Sequence, residues 1–118
     1  MTFYMTFYMA YISTCPTCKN GPMRLTEPDI VLRLHSMPGW RFEGGALKRK
    51  FELASFADAI SFVTRLAFDA EAADHHPDLM ISYKRVTVSW STHSEDGVTE
   101  KDFAGAAQSD KVAAGFGA

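Results

Sequence analysis

Three times in this chain a hydroxyl residue stands three positions ahead of a carboxylate at the head of a helix-forming run: Thr26-Glu-Pro-Asp29, Ser55-Phe-Ala-Asp58 and Thr99-Glu-Lys-Asp102. Each hydroxyl is placed to cap a helix N-terminus, and each carboxylate to accept backbone N–H groups in the first turn, where the helix dipole is positive. What lies between these starts reads as strand. Trp40-Arg-Phe42 and Leu47 to Leu53 flank Glu43-Gly44-Gly45, a hairpin link in which glycine takes positive φ at no steric cost. Leu79, Ile81 and Tyr83 alternate with polar or flexible residues, and Val86, Val88 and Trp90 alternate with Thr87, Ser89 and Ser91. That period of two predicts a second hairpin, turning near Lys84. The predicted order is α-β-β-α-β-β-α. Four strands with no long crossover of their own form a single four-stranded antiparallel sheet, with three helices on one face, an α+β fold.

The first helix is predicted over residues 27–37, with Ile30, Leu34 and Met37 facing inward and Pro38-Gly39 ending it. The second carries Phe56, Ala59, Ile60, Val63, Leu66, Ala67 and Ala70 at helical spacing, the clearest amphipathic pattern in the chain. Pro77 disfavours helical geometry at His76, so this central helix ends near the histidines. Ala104, Gly105, Ala106 and Ala107 make the third helix intrinsically weaker but able to approach a neighbour closely.

A chain of 118 residues, 47% hydrophobic, fits one compact domain. Net charge is −2 with acids and bases interspersed, so no basic footprint for nucleic acid or an anionic membrane is present, and a small neutral ligand or another protein is the better-matched partner. Cys15-Pro-Thr-Cys18 has the spacing of half a zinc site or a redox pair, but no second Cys pair and no thioredoxin-like context accompany it. The absence of other cysteines fits a reducing compartment, and the expected location is cytoplasmic. The opening MTFYMTFYMAYIS repeats a four-residue unit. Its apolar run is shorter than the roughly 20 residues of a membrane span and lacks the basic start of a secretory signal. With Asn20-Gly21-Pro22 as a break, residues 1–22 are expected to stand outside the fold and residues 23–118 to form the domain.

Chemistry points to Glu71-Ala-Ala-Asp74-His75-His76-Pro77-Asp78, where the central helix gives way to a strand. Imidazoles exchange protons near neutral pH. Adjacent histidines are commonly just solvated loop residues, but here the topology answers them. The last strand returns antiparallel, bringing His93 back toward the pair, and strand parity sets His93 with Ser91, Ser89 and Thr87 and away from the Val86, Val88 and Trp90 face. Asp102 follows a short loop, Ser94 to Gly97, at the head of the last helix. Glu71 lies one turn before His75, where it can orient that ring. Three histidines with carboxylates also suit catalytic zinc. Neighbouring residues point in different directions, however, so His75 and His76 are not expected to chelate one ion with His93, and no metal is predicted. His35 reads as a surface helix residue.

Glu71-x-x-x-His75-His76-Pro77, then Tyr83, Trp90, Ser91-Thr92-His93, a loop with Gly97, and Thr99-Glu100-x-Asp102 together resemble the signature of pterin-4a-carbinolamine dehydratases. Pro38-Gly39-Trp40 and the Phe51 strand match the first half of that family, and the resemblance runs from about Leu25 to Val112. Two positions depart from it. Lys84 stands where many members have Asn, and Trp90 replaces an aliphatic residue. The resemblance implies dehydration of a 4a-hydroxytetrahydropterin to the quinonoid dihydropterin, the recycling step after an aromatic amino-acid hydroxylase, with the pterin as substrate and no cofactor. It implies His75, His76 and His93 as the catalytic set. The preferred assignment gives proton transfer to His76 and His93 and polarisation of the hydroxyl to His75, with acid and base left open. Trp40, Glu71, Ser91, Thr92 and Asp102 are the implied substrate-binding residues, although Asp102 also serves as a plain helix cap. A homodimer or homotetramer is implied as well. The alternative is a protein-interaction role, as a dimerisation partner of a transcription factor or an assembly factor for a carbon-fixing enzyme.

Overall fold

A computed structural model of the chain describes residues 23–118. The expectations for residues 1–22, including Cys15 and Cys18, lie outside the described residues. The elements are α1 (Glu27–Leu34), β1 (Arg41–Glu43), β2 (Ala46–Glu52), α2 (Phe56–Ala73), β3 (Asp78–Ser82), β4 (Arg85–Trp90), a 3₁₀ turn (His93–Glu95) and α3 (Glu100–Ala114). Each predicted cap forms. Thr26 Oγ1 accepts from Asp29 N at 3.4 Å and Ser55 Oγ from Asp58 N at 3.1 Å. At α3 the box is reciprocal, with Thr99 Oγ1 accepting from Lys101 N and Asp102 Oδ2 from Thr99 N.

All strand pairs are antiparallel and their order is β1-β2-β4-β3. The first hairpin closes with Glu43 opposite Ala46, leaving Gly44 and Gly45 in the turn at φ 62° and 78°. The second closes with Ser82 opposite Arg85, and there Tyr83 takes φ 58° without glycine's freedom. Leu47, Phe51, Val86, Val88 and Trp90 supply the sheet side of the core, covered by Ile30, Phe62, Leu66 and the small residues Ala59, Ala70 and Ala106 of the helices.

Two local outcomes differ from the sequence reading. Helix α1 ends at Leu34, and the chain tightens to i→i+3 bonds, Ser36 N to Arg33 O and Met37 N to Leu34 O, ahead of the bend forced by Pro38. On α2 the core stripe is Ala59, Phe62, Leu66 and Ala70, while Phe56 and Ile60 are 51% and 38% exposed. Alanines at two of the four inward positions let the helix sit close to the sheet, and Phe62 fills the depth, its ring 5.1 Å from Phe51. Beyond α3, Phe116 reaches back to pack edge-on against Phe62, with centroids 6.4 Å apart.

Candidate functional site

The site begins with the way α2 stops. Asp74 adopts the left-handed conformation, its N–H bonding Glu71 O while His75 N bonds Ala70 O at 3.1 Å, a Schellman closure. The reversal sends the next two side chains in opposite directions. His75 goes inward, with 11% of its side chain exposed and Nε2 2.6 Å from Asp102 Oδ1. Its ring stacks on Trp90 at a centroid distance of 5.3 Å and an interplanar angle of 30°. His76 goes outward, with 54% of its side chain exposed and Nε2 2.5 Å from Glu71 Oε1. Glu71 therefore partners His76, not the expected His75, because the closure swings His75 beneath the helix end.

Asp102 is fully buried, yet each of its oxygens is satisfied. Oδ1 meets His75, and Oδ2 accepts from Thr92 Oγ1 at 2.8 Å and Thr99 N at 2.9 Å. Thr92 Oγ1 also lies 2.8 Å from Thr99 Oγ1. The carboxylate is thus both the predicted cap and the hub of a buried network. A carboxylate only accepts, so when Asp102 is ionised the hydrogen between it and His75 sits on Nε2 and Nδ1 is the second ring nitrogen.

His93 lies one residue past Thr92, at the start of the 3₁₀ turn, and is exposed. A groove of about 330 Å³ opens here at the sheet end, lined by Ser89, Ser91, Thr92, His93, Asp78 and the Gly44-Gly45 hairpin among others. His93 shares the groove with Ser89 and Ser91 as expected, but the 3₁₀ turn and not strand parity puts it there, since β4 has already ended at Trp90. His75 itself lines a smaller slot of about 60 Å³ between α2 and α3, with Ala73, Trp90, Gly105 and Gln108. Neither cavity takes in both His75 and His93. Trp40 lines neither: it is 5% exposed, Nε1 donates to both oxygens of Asp110, and its ring meets Phe51 edge-on. Among the described residues, no three His, Cys, Asp or Glu side chains converge as a cation site.

Of two further groove residues, Lys48 escaped the sequence reading and Asp78 closed the highlighted stretch without a role. Lys48 and Asp78 pair with Ser89 from either side, forming one row across the open face of the sheet. The signal was available in the strand alternation once the register was known. At the hairpin rim, a hydrogen bond from Arg41, reinforced by the charges of Arg41 and Lys48, holds the Glu43 carboxyl below its usual range.

The fold and site together define a small α+β protein with a histidine and carboxylate cluster at one end of a sheet. A family described as "Pterin 4 alpha carbinolamine dehydratase" matches residues 23–112. The chain belongs to the pterin-4-alpha-carbinolamine dehydratase family. A Chloroflexus aurantiacus protein provisionally named as such a dehydratase is 49% identical over 89 residues, covering 75% of this chain and 96% of the relative. A Sulfolobus acidocaldarius protein of the same provisional name is 43% identical over 90 residues, covering 76% and 99%. A crystal structure titled as a transcriptional coactivator/pterin dehydratase from Brucella melitensis superposes with a TM-score of 0.72 at 37% identity, covering 75% of this chain and 97% of that one. No helix among the described residues is long and apolar enough to cross a membrane.

Proposed function

We propose that this protein dehydrates 4a-hydroxytetrahydropterin to quinonoid dihydropterin, in the cytoplasm, recycling the pterin of an aromatic amino-acid hydroxylase. The C4a–O bond breaks and the oxygen leaves as water after taking a proton. N5 gives up its proton, and its electron pair completes the N5=C4a double bond. The reaction needs one general acid and one general base, each worth about 10² to 10⁴-fold. What supports this reading is the gathering of three imidazoles at one sheet end, each in a different setting: His76 paired to Glu71, His75 to Asp102, and His93 on the groove. A groove of about 330 Å³ falls within the range that small-molecule sites occupy. His76 and His93 carry the proton transfers, His75 polarises the leaving hydroxyl through Nδ1, and Ser91 and Thr92 line the pterin's seat. Glu71 orients His76, and Asp102, having no exposed surface, acts on the substrate through His75. Trp40 contributes as a core residue on which the β1 end of the sheet is built. Neither a cofactor nor a metal is required by this chemistry.

The full chain, supplied with 4a-hydroxytetrahydropterin, should speed its absorbance decay above the spontaneous rate, and the activity should persist after exhaustive chelation. His76→Ala and His93→Ala should each lower turnover by about 10² to 10⁴-fold with circular dichroism unchanged. Wild-type turnover in both variants, or loss with EDTA and recovery with zinc, defeats the mechanism.

The reading also includes a homodimer or homotetramer. β3 is an edge strand, and Ile81 on it, Tyr83 in the turn after it, and Phe56 and Ile60 on α2 leave apolar surface exposed. Light scattering at micromolar concentration should show two or four copies, and a monomer would remove this part. The same exposed apolar residues favour a second reading, a protein-interaction role. Decay at only the spontaneous rate by a well-folded chain would support that reading over catalysis.

A further inference from the structure

We propose that Trp90 is a positioning residue for His75, fixing the imidazole by its face while Asp102 fixes it by its edge; this rests on the reading of His75 as part of the dehydratase site. A hydrogen bond through Nε2 alone leaves the ring free to swivel about that contact. The indole stacked at 5.3 Å and 30° removes the swivel. The indole is itself held. Its Nε1 donates to Ser109 Oγ at 3.0 Å, and Ser109 Oγ donates onward to Gly105 O at 2.8 Å.

Gly105 makes this arrangement possible. A Cβ there would sit 2.6 Å from the Trp90 ring carbons, so only glycine lets the indole lie against α3. Asp102, Gly105 and Ser109 follow one another at spacings of three and four along α3, so one face of a single helix presents the carboxylate, the bed for the indole and the indole's acceptor. The edge and face contacts of His75 are therefore referenced to the same rigid element. With 2% of its surface exposed, Trp90 offers the substrate little contact of its own, and its effect reaches the reaction through the imidazole.

The test is nitrogen-15 NMR of the histidine rings in the full chain, alongside turnover. In the wild type, the His75 ring protons should show an upfield indole ring-current shift and a single Nε2–H tautomer. Trp90→Leu should abolish the shift, mix the tautomers and lower kcat on the order of tenfold to a hundredfold with KM little changed. Trp90→Phe loses the Ser109 hydrogen bond and some stability but keeps an aromatic face, so the tautomer and most of the turnover should return. A merely structural role predicts that turnover in both variants only tracks their loss of stability, with the His75 tautomer unchanged. His75 signals that are the same in wild type, Trp90→Leu and Trp90→Phe would overturn the proposal, as would a Phe variant no better than Leu. Should Trp90→Leu fail to fold, Trp90→Phe alone decides: a lost tautomer sinks the idea and a retained one supports it. Ring shifts and tautomers are read without substrate, so dependence on Trp90 in a protein that fails to dehydrate carbinolamine supports this proposal while sinking the dehydratase reading.

Discussion

His75 and His76 are adjacent in sequence and identical in chemistry, yet the structure gives them opposite surroundings. His75 is nearly enclosed, bound at Nε2 to a fully buried carboxylate and faced by an indole, whereas His76 and its partner Glu71 have side chains 54% and 71% exposed. The difference comes from one left-handed residue, Asp74, that closes α2. An enclosed imidazole is held in one tautomer and one orientation, which suits a group that must meet an oxygen at a defined angle. An open imidazole exchanges protons with water, which suits a group that must be reset after every turnover.

The comparison breaks hardest at Asp102. Replacing it by Ala strands His75 Nε2 and Thr99 N in the interior and leaves Thr92 Oγ1 only Thr99 Oγ1, and removing one partner of a buried charged pair costs about 3–5 kcal/mol. Urea unfolding of Asp102→Ala should show that loss at an unchanged slope. A deficit below about 1 kcal/mol would mean that water replaces the carboxylate, and that the enclosure of His75 is less complete than drawn.

Gly105→Ala attacks the same side from behind. The new methyl meets ring carbons that cannot fold away, and overpacking of this kind costs roughly 1–3 kcal/mol. The His75 ring signals should move with the displaced indole while those of His76 stay in place. Movement of both would mean that the two histidines respond as one unit.

Much of this contrast was legible beforehand and part of it was not. Capping depends on neighbours in sequence, so Thr26, Ser55 and Thr99 declared their helices, and Gly44-Gly45 declared its hairpin. Pro77 marked the end of α2 within a few residues. Which of two apolar stripes on α2 turns inward is decided by the depth of the sheet beneath it, so Phe62 was missed and Phe56 and Ile60 were taken for core. Glu71's partner could not be read from spacing on a helix, because the closure lies between Glu71 and both histidines. The Thr92–Asp102 bond joins residues ten apart across a 3₁₀ turn that carries no local signal. Trp40 was expected beside the pterin on family resemblance, but its indole N–H is engaged by Asp110, seventy residues away.

Thr92→Val removes only the hydroxyl that joins the buried carboxylate to the groove wall, leaving Asp102 its bonds to His75 and Thr99 N. Thr99 Oγ1 also loses its contact with Thr92 but keeps the Lys101 N–H, and a single net hydrogen bond is worth about 0.5–1.5 kcal/mol. Thermal or urea unfolding should place this variant between the wild type and Gly105→Ala. A loss as large as that of Asp102→Ala would show that Thr92 is the true keystone of the network.

The smallest effect belongs to the exposed side. Glu71 and His76 are in hydrogen-bond contact, and the bond is short, but both side chains sit mostly in water, where attraction is screened and ordering two side chains offsets the gain. Such pairs contribute about 0.2–1 kcal/mol, so Glu71→Ala should shift stability by no more than that, and less at high salt. Its imprint should instead be kinetic, because without the carboxylate the His76 ring loses its orientation and its preferred tautomer while the fold is untouched. A fall in turnover with stability nearly unchanged, set beside an Asp102→Ala variant that loses both, separates a side chain that aims a catalytic group from one that also builds the protein. If Glu71→Ala unfolded as readily as Asp102→Ala, the two histidines would share one structural role and the inside-outside contrast would have to be abandoned.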